Sequence, residues 1–273
     1  WSRRGLAFQL RAADRLGEAA AEFGEAAAVL DRAGQGTDAG AMKLERATTE
    51  LLNDAPDQAE TLALDVLASL ADFEDPGRQI LELHATQILA QVATYQEMPG
   101  QAADRWLHVA ELAQAVGASP LEARIAAAQL LAASGDLDAS LALFDRAEMD
   151  ASDASDPALA ISAVLGQRAE VLNDADHFHE AAELARVASN HARTGGDDRQ
   201  AVWLTLFAGE ALVAGGEAAA AEPVLRDALD QADTAGLVDL RASAHGHLAE
   251  VLTALGRHDE AQMHADAAEE ASL

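Results

Sequence analysis

The feature that most restricts the fold is a repeat in the C-terminal half of the chain. Four-residue segments begin at Ala169, Gly209 and Ala249, at equal spacing, and each has glutamate in the second position and leucine in the fourth. Each segment is followed by a short turn, polar or containing glycine, and then by an alanine-rich stretch. A fixed period of about 40 residues is typical of stacked structural units. The sequence therefore predicts consecutive helix–turn–helix hairpins.

Weaker copies of the same unit extend the array toward the N-terminus. They share a small or leucine-containing first segment, a turn rich in glycine or aspartate, and an alanine in the second segment. The copies closest to the N-terminus are the most degenerate. In all, we expect about seven antiparallel helix pairs. The upstream copies begin near Arg15, Ala47, Leu89 and Ala128.

Composition favours helix throughout. Alanine is dense, aromatic residues make up only 4% of the chain, and no strand-length alternation of apolar and polar residues occurs. Alanine loses no side-chain entropy in a helix and is the best intrinsic helix former. We therefore predict an all-α fold, with one solenoid domain over residues 1–273. Its repeats are weak over residues 1–80 and clear over residues 81–273.

Prolines agree with most of this pattern. Proline is tolerated in the first turn of a helix, where its missing N–H costs little. Pro223 is the exception, because it falls in the second turn of a predicted helix, which must then kink or begin later. The prolines expected near helix starts are Pro56, Pro76, Pro99, Pro120 and Pro157.

The unit resembles the tetratricopeptide repeat, in a longer variety than the common one of about 34 residues. In the best-formed copy, the pair Leu248–Ala249 lies on the first helix, the turn contains Gly256, and Ala261 lies on the second helix. Small residues at such positions let helix axes approach within about 8–10 Å. Arg168 departs from the pattern, since a leucine is usual there. The resemblance implies a right-handed superhelical α-solenoid.

The same resemblance implies which residues face a ligand. First helices of such repeats line a concave groove, and the residue after the leucine–small pair commonly faces it. In this chain that row starts at Thr48 and ends in three glutamates. Gly166 and Gly246 each lie one turn before a glutamate of the row, and Trp203 lies two turns before another. The candidate groove residues are Gln91, Gln129, Gly166, Glu170, Trp203, Glu210, Gly246 and Glu250.

Each candidate has a purely structural alternative. The glutamates would instead cap helices or pair with arginines of adjoining helices. The two glycines would instead allow close packing between helices, and Trp203 would belong to the core. The sequence leaves these alternatives open.

The charge pattern bears on the partner. The net charge is −29, so phosphate backbones and anionic membranes would be repelled. Residues 1–50 hold 7 of the 18 Lys and Arg and 8 of the 47 Asp and Glu, which leaves 11 basic and 39 acidic residues downstream. The downstream surface therefore either attracts a basic partner or is the solvated outer face of a salt-adapted protein.

Sequence signals of catalysis are missing. There is no cysteine, no pair of histidines spaced to hold a metal on one helical face, no phosphate loop and no nucleophile elbow. We therefore expect no catalytic residue, no metal and no cofactor. No apolar run is long enough to span a membrane and no signal pattern opens the chain, so a cytoplasmic protein is expected. A chain that begins at Trp1 suggests a fragment of a longer polypeptide.

The leading hypothesis from the sequence is a non-catalytic scaffold that binds a protein or peptide segment, basic or helical, in its concave groove. It involves neither nucleic acid nor membrane. The alternative is a ligand-sensing regulatory segment of a larger bacterial transcription activator or signalling protein. The sequence does not define the oligomeric state.

Overall fold

The structure, a computed structural model, describes residues 2–72 and 77–271. The described part contains fourteen α-helices, one short 3₁₀ turn and no strand. It forms two compact units that meet in sequence between Asp136 and Leu137. Each unit consists of consecutive helices that pack on their neighbours. The predicted all-α fold of about seven antiparallel helix pairs is confirmed, whereas a single domain over residues 1–273 remains a prediction.

Each unit contributes seven helices. In the first unit these are α1 (Arg3–Ala12), α2 (Leu16–Arg32), α3 (Gly36–Leu52), α4 (Pro56–Ser69), α5 (Gly77–Tyr95), α6 (Pro99–Ala115) and α7 (Leu121–Ala133), with the 3₁₀ turn Leu70–Asp72 after α4. In the second unit they are α8 (Leu137–Ser152), α9 (Pro157–Asp174), α10 (Phe178–Thr194), α11 (Asp198–Ala214), α12 (Ala218–Ala235), α13 (Val238–Ala254) and α14 (His258–Ala271). Odd-numbered helices are the first helices of the pairs.

A recurring turn explains the period of the repeat. Left-handed residues follow the helices at regular intervals, for example Gly216, Gly236 and Gly256, which are evenly spaced along the chain. The next N–H donates to a carbonyl in the last turn of the helix, as from Arg257 to Leu252 at 2.8 Å. This hydrogen bond satisfies a carbonyl that the helix end would leave unpaired. One helix and its turn thus occupy half of the period, and one helix pair occupies the whole period.

The two helices of a pair bury different amounts of surface. In α10 the buried residues form an alanine stripe at helical spacing that includes Ala181, Ala185, Ala188 and Ala192, so only one face is covered. In α11 nine residues are buried around most of the circumference, because α11 packs against α10, α12 and α13. First helices are therefore the more enclosed layer of the second unit.

The first unit is built in the same way. Its cores gather alanines with a few larger side chains, among them the fully buried Phe23 and Val66. α3 packs against α2, α4 and α5, so a first helix again contacts the next first helix. This contact positions the faces of α3 and α5 beside each other.

The structure tests the placement of the prolines. Pro56, Pro99 and Pro157 begin α4, α6 and α9, as expected, and Pro120 immediately precedes α7. Pro76 lies outside the described residues. The suggestion that the helix containing Pro223 begins later is wrong: α12 begins at Ala218 and includes the proline. Among the described helices, none is long and apolar enough to cross a membrane.

Candidate functional site

The second unit brings two of the predicted residues into one pocket. Glu170 of α9 and Trp203 of α11 line a cavity of about 360 Å³, which we call the Glu170 pocket. Its other lining residues come from the same two helices, the turn before α11, and α13: Gln167, Asp197, Arg199, Gln200 and Leu240. Three first helices of consecutive pairs thus contribute to one site, while the prediction that these residues face a ligand stays a prediction.

Glu170 has an unusual environment for a carboxylate. Burial raises its pKa, the negative charge of Asp174 raises it further, and a hydrogen bond from Gln167 offsets part of the effect. The Gln167 amide nitrogen lies 3.4 Å from the carboxylate oxygen. Within the part of the chain that the structure describes, no basic side chain forms an ion pair with Glu170. Its charge is therefore only weakly compensated.

Trp203 offers an exposed aromatic surface beside this carboxylate. The residue is 37% exposed. Its ring stacks on Phe207, with centroids 5.8 Å apart and planes 17° from parallel. Tryptophan rings favour contact with cations through the negative electrostatic potential of the ring face. The pocket thus combines a half-buried carboxylate with an indole.

The remaining charges of the pocket are held by structural contacts. Arg199 forms a bidentate ion pair with Asp239 of α13, in which Nη1 lies 3.2 Å from Oδ1. Asp197 caps α11 by accepting a hydrogen bond from the N–H of Gln200 at 2.9 Å. The arginine is therefore neutralised by a partner that does not line the pocket. The lining residues together with Asp239 carry a net negative charge.

Glu210 and Glu250 are brought together by a histidine. His247 Nε2 lies 2.8 Å from Glu210 Oε1, and its Nδ1 lies 3.8 Å from Glu250 Oε2. The hydrogen bond to Glu210 is the main cause that raises the pKa of His247. The expected alternative was pairing with arginines. The structure shows a histidine in that role for two of the three glutamates.

The glycines of the candidate set occupy different surroundings. A Cβ atom at Gly166 would lie 3.2 Å from Leu204 Cδ2 of α11, so a larger residue here would press on that side chain. At Gly246 a Cβ atom would meet nothing within 4 Å. A side chain of α11 thus adjoins the first glycine, whereas a Cβ atom at the second would have room.

Two further residues that the sequence pattern singles out are Arg168 and Gln129. Arg168, which replaces the usual leucine, donates from Nη1 to Asp145 Oδ1 of α8 at 2.7 Å. Gln129 is half-buried on α7 of the first unit. The unusual arginine therefore links neighbouring helices of the second unit.

The first unit contains a larger cavity, which we call the N-terminal cavity. Its volume is about 930 Å³, and its walls come from α1, α2, α3 and α5. Two residues of the predicted row, Thr48 and Gln91, line it. The sequence pattern of this region indicates only weak repeats and does not predict a cavity. The concentration of basic residues before residue 50 was the available signal, because three of those arginines line the cavity: Arg3, Arg4 and Arg11.

Comparisons by sequence find no relative: no family model matches the chain, and no curated protein matches it. Solved structures do match. A Signal Transduction ATPase with Numerous Domains protein with a tetratricopeptide repeat sensor, from Pyrococcus horikoshii, has a TM-score of 0.76 and 13% identity over 98% of this chain. This chain spans 41% of the length of that protein.

Two further structures support the same architecture. RapI in its apo form has a TM-score of 0.64 and 10% identity, covering 99% of this chain and 96% of RapI. A kinesin light chain protein of Podosopora anserina with nearly identical tetratricopeptide-like repeats has a TM-score of 0.56 and 16% identity. That match covers 73% of this chain and 97% of the other. The chain therefore has the tetratricopeptide-like helical repeat fold that the residues around Leu248–Ala261 resemble.

Proposed function

We propose that this chain is a non-catalytic binding module and that the second unit holds a basic segment of a partner protein or peptide on its first helices. The Glu170 pocket is the centre of the proposed contact. An arginine or lysine of the partner would place its cation between the Glu170 carboxylate and the Trp203 ring. The apolar Leu240 would contact the methylene stem of that side chain.

The observation that carries this proposal is the poorly compensated carboxylate of Glu170. Burial without a cationic partner makes its ionised form costly, and this cost is what raises its pKa. A guanidinium bound in the pocket would remove that cost and would form charge-assisted hydrogen bonds. The pocket is therefore complementary to a positive charge.

Glu210 and Glu250 extend the acidic surface along α11 and α13, but with a smaller expected contribution. His247 Nε2 already contacts Glu210 Oε1 at 2.8 Å, so a ligand there would replace an existing partner. Glu250 is 72% exposed, where ion pairs are worth little. Specificity would therefore arise at Glu170 and Trp203.

The test uses an arginine-rich peptide with blocked ends and a matched peptide in which citrulline replaces arginine. Citrulline keeps the shape and removes the charge. We expect calorimetry to show tighter binding of the arginine peptide. E170Q should weaken that binding by about 1.5–3 kcal/mol, which is at least about tenfold and is the usual scale of a hydrogen bond to a charged group.

A matched control separates the pocket from the general negative charge of the chain. E183Q removes an equal charge from exposed α10, where Glu183 pairs with Arg186, and should leave the affinity unchanged. Affinity should also fall as the pH is lowered through the raised pKa of Glu170, because the protonated acid no longer attracts a cation. Equal losses in E170Q and E183Q would contradict the proposal.

A second candidate, a ligand-sensing regulatory segment of a larger protein, is favoured by one comparison. The Pyrococcus horikoshii protein is described as having a tetratricopeptide repeat sensor, and this chain matches 41% of its length. Under this candidate, the same pocket would take a free cationic signal in place of a partner protein. Binding of free arginine amide with an affinity similar to that of the long peptide would favour the sensor.

A further inference from the structure

The N-terminal cavity has the dimensions and lining of a small-molecule site. Ligand pockets usually enclose about 300–1,000 Å³ and are mostly apolar with a few polar groups. This cavity encloses about 930 Å³. Its apolar floor contains the buried side chains Met42, Leu44, Leu81 and Ile88. At 47% and 52% exposure, Val29 and Ile80 leave apolar surface open to an occupant.

One wall of the cavity gathers positive charge. Arg3, Arg4 and Arg11 of α1 all line it. The guanidinium carbons of Arg4 and Arg11 lie 5.8 Å and 5.1 Å from the centroid of the Phe8 ring. Arg11 also lies 5.5 Å from the Phe23 ring. Stacking on aromatic rings holds these guanidinium groups near one another despite their mutual repulsion.

Carboxylates compensate this wall incompletely. Arg11 pairs with Glu45 at 2.9 Å, and Arg3 pairs with Glu22 at 3.0 Å. Among the described residues, Arg4 forms no hydrogen bond and no ion pair with a carboxylate. Arg4 therefore retains all its guanidinium donors for an occupant of the cavity, in a chain whose net charge is −29.

Acidic side chains also line the cavity. Asp38 lines the cavity from the first turn of α3, where the helix dipole stabilises a carboxylate. Glu45 lines it from the same helix and is paired with Arg11. The cavity thus combines an apolar floor with three arginines and two carboxylates, and Arg4 is the arginine that has no carboxylate partner among the described residues.

We propose that the N-terminal cavity binds a small amphipathic organic anion, with its apolar body on the floor and its acidic group at Arg4 and Arg11. This site is separate from the Glu170 pocket and takes a ligand of opposite charge. It is independent of the proposed function, because the two sites lie in different units and respond to different substitutions.

The test compares two fluorescent probes of similar aromatic shape, the anion anilinonaphthalene sulfonate and the uncharged phenylnaphthylamine. R4Q removes the uncompensated charge from an exposed position, so the fold should be retained. We expect R4Q to weaken binding of the anionic probe about tenfold, the scale of one charge-assisted hydrogen bond, and to leave the uncharged probe unaffected.

Two further variants locate the probe. R193Q removes a charge from an exposed arginine of α10 in the second unit and should change neither affinity. I80D places a charge on exposed apolar surface of the cavity and should weaken both probes, with far-UV circular dichroism verifying the fold. The proposal is overturned if R4Q binds the anionic probe like the unsubstituted protein, if R193Q weakens it equally, or if I80D has no effect.

Discussion

Substitution of Gly209 by alanine tests the close packing that the repeat requires. Gly209 lies in the middle of α11 and is buried, and it is the small residue of the Gly-Glu-Ala-Leu segment. A Cβ atom there would lie 2.6 Å from Leu225 Cγ and still closer to Cδ2. Leu225 of α12 is fully buried, so neighbouring core atoms restrict how far its side chain can move. The methyl group must therefore displace the Leu225 side chain within the core or push α11 and α12 apart.

Gly246 provides the matched reference. It lies on α13, the next first helix, and a Cβ atom there meets nothing within 4 Å. Alanine in place of glycine in a helix interior gains about 1 kcal/mol from propensity. This gain applies to both positions, whereas an overpacking cost of about 1–3 kcal/mol applies only at Gly209. The difference in stability between G209A and G246A therefore isolates the packing cost.

Urea unfolding followed by far-UV circular dichroism measures the difference. G246A should shift the midpoint to higher urea, and G209A should have a midpoint below that of G246A by an amount equivalent to about 1–3 kcal/mol. Repeat arrays can unfold in parts, so the comparison requires equal slopes for the two variants. Equal midpoints would refute the reasoning, because Leu225 would then relax without cost.

Three further predictions concern the histidines and the turns. His247 has a raised pKa in the folded protein. Its protonated form therefore stabilises the fold: the contribution is complete below the unfolded pKa of about 6.5 and is lost as the pH rises through the folded pKa. H247N should thus lower the free energy of unfolding more in acid than in base, and an equal loss at both pH values would exclude the linkage. Burial lowers the pKa values of His245 and His264, so their contribution is lost as the pH falls, and H264Q should reduce the acid sensitivity of thermal unfolding. Glu97 adopts a left-handed φ of 55°, so E97G should raise the free energy of unfolding by about 0.5–1 kcal/mol. A lower free energy of unfolding in calorimetry would contradict this prediction.

The sequence by itself determined the helix pairs, because the interactions that form them are local. Alanine stripes at helical spacing define the buried face of α10, and glycines such as Gly216 and Gly256 mark where helices end. The half-period, which is one helix with its turn, is harder to recognise in the sequence. At Asp54, Glu97 and Asp176 the left-handed turn position carries an acidic side chain, so composition alone did not mark those turns.

Tertiary structure decided which candidate residues have partners. His247 is distant from Glu210 in sequence, and only the stacking of α13 on α11 brings its imidazole to that carboxylate. The same row leaves Glu170 without a cation among the described residues. The sequence shows three equivalent glutamates, whereas the structure distinguishes them, because contacts between pairs depend on the rotation of each helix and the rotamer of each side chain.

The N-terminal cavity also depends on tertiary structure and could not be predicted from the sequence. The sequence showed that basic residues concentrate before residue 50, and it could not show where their side chains point. The packing of α1, α2, α3 and α5 encloses the space, and aromatic stacking holds Arg4 and Arg11 on its wall. Periodicity determines helices through interactions near in sequence, but a cavity is the volume that several helices leave unfilled, and that volume exists only once they are packed.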